Sequence, residues 1–238
     1  MKKLIKRTFH SLGLDLHRLS PASNPSVQLL AALDHVQADT MFDVGANIGQ
    51  FAQELRSVGF AGNIISFDPL TVAHAQLSKS AQNDSKWLVF PRVAVGDHDG
   101  EIEINIAGNS VSSSVLPILD SHSTAAVGSA YVGTESAPLV RLDTVAKQYL
   151  SADSRPFIKI DTQGFEWQVL DGATETLKRA QGVLLELSLV PLYDGQRLWR
   201  EIIERMEKEG FTLWALQKGF TDPRTGRSLQ VDGIFLRQ

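Results

Sequence analysis

The stretch Met41-Phe-Asp-Val-Gly-Ala-Asn-Ile-Gly-Gln50 decides how the rest of the chain is interpreted. A short apolar run ends at Asp43, the chain turns through Gly45 and Gly49, and a helical pattern begins at Phe51. A strand, a glycine turn and a helix in that order are the opening unit of a nucleotide-type binding fold. We therefore expect the remaining chain to add strands and helices around this unit.

The composition restricts the class of protein. At 238 residues the chain is long enough for one domain with a substantial core. A net charge of −4 argues against a nucleic-acid partner, which usually requires a basic surface. The sequence has no cysteine, which excludes disulfides and thiolate metal sites and fits a reducing compartment. These features predict a cytoplasmic protein.

The first 26 residues differ in character from the rest. Residues 1–12 predict a basic amphipathic helix, and the breaker-rich residues 20–26 predict a linker, so we place the main domain at 27–238. Two interpretations of the helix remain open: a surface helix that caps the domain, and a weak anchor at the inner face of a membrane. No stretch approaches the roughly 20 apolar residues of a transmembrane helix. The protein is expected to be soluble or peripheral.

Apolar runs and helical patterns alternate through most of this main domain. Core strands are predicted at 40–44, 63–68, 86–95, 156–161 and 182–187, with helices between them and a closing hairpin from 211–216 and 229–236. This order predicts a doubly wound α/β fold, with a mainly parallel sheet and one C-terminal antiparallel hairpin strand. Residues 107–137 interrupt the alternation and predict an inserted loop, serving either as a lid or binding loop or as variable surface.

Four carboxylates fall at or near the carboxyl ends of predicted strands: Asp43, Asp68, Asp161 and Glu186. In an open parallel sheet the ligand binds outside these ends. Any one of the four would be an ordinary helix cap, but a stable sheet has no need of all four. Asp68, which ends the second strand, is placed to accept the ribose hydroxyls of a nucleoside-containing ligand.

The glycine turn favours a cationic ligand over a dinucleotide. The third glycine of the dinucleotide fingerprint is missing, and Asp43 beside the turn would repel a pyrophosphate. The same carboxylate suits an ammonium group, so the charges fit S-adenosylmethionine better than NAD. We expect a valine in place of Gly45 to block this cofactor by filling the turn.

Four motifs in order resemble those of FkbM-type methyltransferases. They are Asp43-Val-Gly-Ala-Asn-Ile-Gly49, Phe67-Asp-Pro69, Ser112-Ser-Ser114 and Lys159-Ile-Asp-Thr-Gln-Gly-Phe-Glu166. The match runs from about residue 40 to the C-terminus and includes Val231-Asp-Gly-Ile-Phe235. The family consists of class I (Rossmann-like) S-adenosylmethionine-dependent enzymes, many of which O-methylate sugars, glycolipids or polyketides. Two positions depart from the pattern: Asp68, where the family more often carries Glu, and Thr162-Gln163, where Val-Glu is common.

The resemblance implies a set of site residues. Those that bind the cofactor would be Asp43, Gly45, Asn47, Gly49, Asp68 and Ser113. Asp161 is the first candidate for the base that removes a hydroxyl proton, with Glu186 beside it, and the two would ligate a divalent cation such as Mg²⁺ if one is used. His122, in the inserted loop, is the second candidate base. Glu166 is a weaker candidate, and Gln163 lacks the charge for a catalytic role.

We therefore expect an S-adenosylmethionine-dependent O-methyltransferase that acts on a hydroxyl of a sugar, glycolipid or glycosylated natural product. The alternative is a non-catalytic S-adenosylmethionine-binding module in a biosynthetic cluster. The acceptor is expected to be recognised mainly by residues 107–137. The four tryptophans are assigned to the core or to a subunit interface, which leaves an oligomer open.

Overall fold

The structure is a computed structural model, and it describes Arg7, residues 9–14 and residues 18–237. Arg7 and residues 9–11 are helical, but most of the basic amphipathic helix predicted for residues 1–12 lies outside the described residues. The membrane-surface interaction and the boundary at 26 therefore stay predictions. Across the described part of the chain, none of the helices is both long and apolar enough to cross a bilayer.

Beyond this N-terminal segment, the described chain contains ten strands and eight helices. The strands are β1 (Thr40–Val44), β2 (Asn63–Phe67), β3 (Trp87–Val89), β4 (Ala94–Val95), β5 (Gly100–Ala107), β6 (Tyr131–Val140), β7 (Pro156–Ile160), β8 (Gly182–Ser188), β9 (Phe211–Lys218) and β10 (Gln230–Arg237). The helices are α1 (Pro25–His35), α2 (Gln50–Ser57), α3 (Thr71–Ala81), α4 (Asp120–Ser123), α5 (Leu142–Ala146), α6 (Glu166–Asp171), α7 (Thr174–Arg179) and α8 (Trp199–Lys208).

The main sheet has seven strands in the order β3-β2-β1-β7-β8-β10-β9. The first five are mutually parallel, and β10 runs antiparallel to both β8 and β9. This confirms the predicted doubly wound fold with one antiparallel strand from the closing hairpin. Because β1 and β7 lie at its centre, all five residues of each strand are buried. The carboxyl ends of β1 and β7 therefore meet in the middle of one edge.

Apolar side chains cover both faces of this sheet. Successive residues of a strand point to opposite faces, so Phe42 and Ile158 join one buried cluster while Met41 and Phe157 join another. Helix α1 begins where Asn24 accepts a hydrogen bond from the backbone N–H of Val27 at 2.9 Å, with a proline at its first position. The two-sided core holds the central strands in a fixed register.

A second sheet of three strands, in the order β4-β6-β5, corrects two sequence predictions. The strand predicted at 86–95 is two strands in different sheets, because Pro91 lies between them and has no N–H for a ladder. The loop predicted at 107–137 ends in β6, which pairs with β5. Most of the β6 side chains within that loop are exposed, so the apolar alternation that would have marked the strand is missing.

Candidate active site

The glycine turn after β1 is held by backbone contacts. The N–H groups of Gly45 and Ala46 both donate to the carbonyl of Phe67, at 3.1 and 2.9 Å. Gly45 has φ +74°, and a Cβ there would lie 1.8 Å from the backbone oxygen of Asp161. A side chain at Gly45 would therefore collide with the backbone at the end of β7 before it reached any ligand. The expected effect of valine at this position thus comes from that collision and not from filling the cofactor's space.

A pocket opens beside this turn, at the carboxyl ends of β1, β2 and β7. Four of the six predicted cofactor residues line it: Gly45, Asn47, Asp68 and Ser113. Its apolar walls come from several elements of both sheets and from the segment after β5, and include Phe67, Leu70, Val93, Val95, Ile104, Val111, Val115 and Phe165. Apolar walls beside a carboxylate suit a nucleoside, whose base has flat apolar faces and whose sugar carries hydroxyls. The residues present fit the adenosine part of S-adenosylmethionine.

Asp68 is the buried carboxylate of this pocket. Its two oxygens accept hydrogen bonds from the N–H groups of Asn47, at 2.8 Å, and Leu70, at 3.0 Å. Burial raises the pKa of Asp68 from 3.8 to about 7, although both hydrogen bonds oppose that shift. Asp68 thus joins the glycine turn to the start of α3, and its remaining lone pairs are available to ligand hydroxyls.

Gly49 and Asp43, the two other predicted cofactor residues, do not line the pocket. A Cβ at Gly49 would lie 2.8 Å from the ring of Trp87, so this glycine serves packing. Asp43 is fully buried within the sheet, where the register sets Ser66 and Lys159 on either side of it. Its carboxylate lies 3.1 Å from the Lys159 ammonium and accepts a hydrogen bond from the Ser66 hydroxyl at 3.0 Å.

The Lys159 ammonium balances the negative charge of Asp43, so this carboxylate does not need a cationic ligand. The ammonium also donates to the carbonyl of Gly45 at 2.7 Å and lies 3.8 Å from the Asp161 carboxylate. Burial disfavours the charged form, but the Asp43 and Asp161 carboxylates outweigh it and raise the pKa of Lys159. Lys159 is thus an ammonium that fixes the turn, a role that we did not predict.

Asp161 follows β7 and lines the same pocket as Asp68. Its side chain is 41% exposed, whereas Asp43 is closed off. One Asp161 oxygen accepts a hydrogen bond from the side-chain amide of Gln163 at 2.8 Å. The same amide nitrogen lies 3.2 and 3.1 Å from the two carboxylate oxygens of Glu186. The structure therefore brings the predicted pair Asp161 and Glu186 together, with Gln163 between them.

Asp232 is a third acid in this group and was missed as a site residue. It lies directly opposite Glu186 in the β8–β10 register. Burial raises the pKa of Asp232 to about 7, with a further contribution from Asp161 and an opposing one from Lys159. Burial, followed by Asp161, Glu166 and Asp232, raises the pKa of Glu186 well above its usual range. The signal was present, because Asp232 belongs to the motif that starts at Val231.

The comparison with protein families agrees with this geometry. A family model described as "Methyltransferase FkbM domain" matches residues 43–213, which include the glycine turn, Asp68, Asp161 and Glu186. The chain belongs to the FkbM methyltransferase family. It is therefore a methyltransferase. The comparison with curated proteins finds no match.

Solved structures similar to this FkbM domain are also methyltransferases. The methyltransferase domain of bacterial CtHen1-CN has 13% identity and a TM-score of 0.49, over 91% of this chain and 100% of that one. Magnesium protoporphyrin IX methyltransferase from Synechocystis PCC 6803, with bound SAM, has 9% identity and a TM-score of 0.47, over 100% and 97%. The 1,6-didemethyltoxoflavin-N1-methyltransferase of Burkholderia thailandensis, with bound S-adenosylhomocysteine, has 13% identity and a TM-score of 0.46, over 90% and 78%.

The structure does not support a divalent cation in this FkbM domain. Within residues 18–237 and the described part of the N-terminal segment, no group of three or more His, Asp or Glu side chains is arranged to hold a metal ion. The N–H groups of Gln163 point at both Asp161 and Glu186. A donor in that position occupies the oxygens that a cation would need.

His122 is not among the residues that line the pocket, so its position does not support a role as the base that removes the hydroxyl proton. The residue is 3% exposed and lies in α4, with its ring 5.1 Å from that of Tyr193 and 5.3 Å from that of Phe220. Its Nε2 is 3.0 Å from the Ser112 hydroxyl. Burial lowers the pKa of His122. The imidazole packs inside a small apolar cluster formed under the inserted segment.

Glu166 and the three serines mainly fix loops of the FkbM domain. Glu166 accepts hydrogen bonds from the N–H groups of Thr162, at 2.9 Å, and Gly164, at 3.1 Å, and so clamps the turn after β7. Ser113 lines the pocket while its hydroxyl accepts from the N–H of Ala107 at 3.0 Å. The hydroxyl of Ser114 donates to the backbone carbonyl of Gln163 at 2.6 Å. The inserted segment is thereby joined to the Asp161 turn.

Proposed function

We propose that this FkbM domain is an S-adenosylmethionine-dependent O-methyltransferase that acts on a hydroxyl of a sugar, glycolipid or glycosylated natural product. The observation that carries the proposal is that one pocket is lined both by Asp68, suited to a ribose, and by Asp161, suited to a hydroxyl. Methyl transfer needs these two functions side by side, because donor and acceptor react in line.

Cofactor binding is assigned to the residues that line the pocket. Asp68 would accept hydrogen bonds from ribose hydroxyls, the apolar walls would cover the adenine, and the turn from Gly45 to Asn47 would contact the methionine part. Bound S-adenosylmethionine supplies the electrophilic methyl group. The chain itself contributes binding, orientation and the exclusion of water from the pocket.

Proton removal is assigned to Asp161. A hydroxyl becomes a better nucleophile as its proton is taken, and a carboxylate within hydrogen-bond reach is able to take it. Asp161 is the exposed acid of its group, and its carboxylate lies 3.8 Å from the Lys159 ammonium. Glu186 is the adjacent acid, and burial together with the neighbouring acids raises its pKa well above the usual range, which favours its protonated form. The acid-rich surroundings favour a neutral, hydroxyl-bearing acceptor over an anionic one.

The non-catalytic binding module remains the second candidate. The feature that favours it is Gln163, because an acid is more common at this position in the family that the chain resembles. It predicts cofactor affinity without methyl transfer to any acceptor. The nicotinamide alternative is weaker, since the turn lacks the third glycine of the dinucleotide pattern.

Two measurements test the proposal. Calorimetry of the full chain with S-adenosylhomocysteine should show binding, and a folded protein that binds neither this ligand nor S-adenosylmethionine would rule out the function. Mass spectrometry of glycan and glycolipid extracts, incubated with S-adenosylmethionine with and without the protein, should then show a gain of one methyl group. Binding without any such gain would favour the non-catalytic module.

A further inference from the structure

Gln163 lies at the centre of a chain of hydrogen bonds that links the acid pair to the inserted segment. Its amide nitrogen donates to Asp161 and to Glu186, and its amide oxygen accepts from the hydroxyl of Tyr193 at 2.9 Å. The Tyr193 hydroxyl is also 3.2 Å from the backbone carbonyl of Ser112. One neutral side chain therefore contacts both acids that the proposed reaction uses.

The two ends of the Gln163 amide are distinguishable here. Asp161 must be ionised to act as the base, and an ionised carboxylate only accepts hydrogen bonds, so the NH₂ group must face Asp161 and, beside it, Glu186. The phenol of Tyr193 must then be the donor to the amide oxygen. Burial, reinforced by Glu186, raises the pKa of Tyr193, so the phenol keeps its proton at all ordinary pH values. Tyr193 thus stabilises this one of the two possible orientations of the amide by donating to its oxygen.

Tyr193 is itself fixed in place. Its side chain is fully buried, and its ring packs against that of His122 at 5.1 Å. His122 belongs to α4 and Tyr193 to the segment after β8, and neither residue lines the pocket that contains Asp68. Gln163 has φ +55°, a conformation that non-glycine residues adopt only where the surroundings enforce it. Backbone and side chain of Gln163 are therefore both constrained.

The acids need such a neutral donor. Asp161 and Glu186 extend from neighbouring parallel strands, one step beyond the register pair Ile160 and Leu185, so their carboxylates meet side by side. Asp232 adds a third acid opposite Glu186. Neighbouring carboxylates repel each other when both are ionised. An amide N–H group shared between them offsets that repulsion without adding charge. A glutamate in place of Gln163 would add a fourth acid to the group.

We propose that Gln163 is a positioning residue whose amide, oriented by Tyr193, holds the Asp161 carboxylate against Glu186 in the arrangement that proton removal requires. This inference rests on the proposed function for its catalytic meaning. The hydrogen-bond arrangement itself is open to test without any methyl acceptor.

The test is a ¹³C NMR titration of the side-chain carboxyl groups in the full chain. Four variants are compared with the parent: Gln163→Glu, Gln163→Leu, Tyr193→Phe and the control Tyr131→Phe. We expect the pH midpoint of the Glu186 titration to rise most in Gln163→Glu, because this variant adds a negative charge. It should rise less in Gln163→Leu, which removes a hydrogen-bond donor, and least in Tyr193→Phe. The control should match the parent, because the Tyr131 hydroxyl donates to the carbonyl of Leu116 and forms no hydrogen bond with Gln163.

Two results would overturn the inference. One is a Glu186 midpoint that is the same in Gln163→Leu, Gln163→Glu and the parent. The other is a Tyr193→Phe titration indistinguishable from that of Tyr131→Phe. If a Gln163 variant does not fold, Tyr193→Phe still decides the matter, because it removes one hydroxyl and leaves the ring in place.

Measurements of kcat and of S-adenosylhomocysteine affinity distinguish a failure of the Gln163 positioning role from a failure of the proposed function. With an acceptor in hand, Gln163→Leu should lower kcat roughly 10-fold or more, since a hydrogen bond to a charged group is lost. Tyr193→Phe should lower kcat less and leave affinity for S-adenosylhomocysteine within about 3-fold, a change worth less than 1 kcal/mol. A parent protein that does not bind S-adenosylhomocysteine defeats the function, whereas parent-like kcat in Gln163→Leu defeats the positioning role.

Discussion

The two sides of the pocket are built in different ways. The Asp68 side, formed by β1, β2 and the glycine turn, uses apolar walls and backbone N–H groups around one acid. The Asp161 side, formed by the turn after β7 and backed by acids of β8 and β10, uses side chains that bind other side chains around three acids. The first side therefore depends mainly on the position of its backbone and on one acid, and the second depends on several side chains at once.

This difference implies that the two sides should fail separately. A backbone-held site is lost when the turn moves, whereas a side-chain network is altered by isosteric changes that leave the fold intact. Variants that affect both sides, one side or neither side therefore measure how independent the two are.

Gly45→Val should affect both sides and have the largest effect. Its Cβ would lie 1.8 Å from the Asp161 carbonyl oxygen, at φ +74°. Overpacking and the left-handed backbone together should cost about 4 kcal/mol of unfolding free energy. Denaturant unfolding measures this loss. Gly226→Val is the matched control, because Gly226 has φ +73° with nothing within 4 Å of its Cβ.

The control separates the collision from the backbone strain. Gly226→Val should lose only about 1–2 kcal/mol, the usual cost of the left-handed conformation for a residue with a side chain. Equal losses in the two variants would show that the turn does not pack on β7 as described.

Asp161→Asn should affect the Asp161 side alone. Loss of a general base typically lowers the rate by about 10²-fold or more, so we expect that loss in kcat. Affinity for S-adenosylhomocysteine should change by less than about 3-fold, because the asparagine keeps the shape of the pocket. Methyl-transfer kinetics and calorimetry on the same preparation measure both quantities. Full activity in this variant would remove Asp161 from the chemistry.

Asp68→Ala should affect the Asp68 side alone. The variant leaves ligand hydroxyls and the N–H groups of Asn47 and Leu70 without their acceptor. We expect a loss of about 1–3 kcal/mol in the binding of S-adenosylhomocysteine. Asp68→Asn, which retains one acceptor oxygen, should lose less. Parent-like affinity in Asp68→Ala would place the ribose elsewhere.

Asp232→Asn should have the smallest effect and a distinctive pH dependence. The pKa of Asp232 is raised from 3.8 to about 7, so the folded protein binds this proton more tightly than the unfolded chain does. Asp232 therefore destabilises the fold progressively as pH rises from about 4 to about 7. The variant should be more stable than the parent by roughly 1 kcal/mol at pH 8, and no more stable at pH 3.

Asp222 provides a control because its pKa is shifted in the opposite direction from that of Asp232. The side chain and backbone of Arg224 lower the pKa of Asp222 to about 2, so its charged form stabilises the fold. That contribution is present above about pH 4 and is lost as pH falls to about 2. Asp222→Asn should therefore be less stable than the parent at pH 8. Thermal unfolding at pH 3 and pH 8 compares both variants, and a stabilised Asp222→Asn would contradict the assignment.

The sequence predicted the main sheet well because its strands are buried on both faces and its turns contain glycine. It placed Asp68 and Asp161 correctly at one edge, since the carboxyl ends of parallel strands meet there. It did not indicate that Asp43 is paired with Lys159, which is far away in the chain. A usable signal existed: β1 and β7 are apolar strands that each contain one charge, of opposite sign, and buried charges are paired.

The Asp161 side was harder to predict because its contacts join residues with no local relation. Nothing near Gln163 in the sequence indicates that Tyr193 orients it. The absence of charge on Gln163 argued against a catalytic role for the residue, although neutrality is what allows it to bridge two acids. The location of His122 was not predicted for a related reason, since burial between two aromatic rings is not visible in a polar loop sequence.

The central position of β7 also has a consequence for the synthesis of the protein. The register joins Val44 to Ile160, and the pocket draws its walls from residues between Val44 and Phe165. While the chain emerges from the ribosome, β1 and β2 can pair early, but the edge of β1 opposite β2 stays open until β7 has been made. A truncated product that ends before β7 would expose that apolar edge and be prone to aggregate.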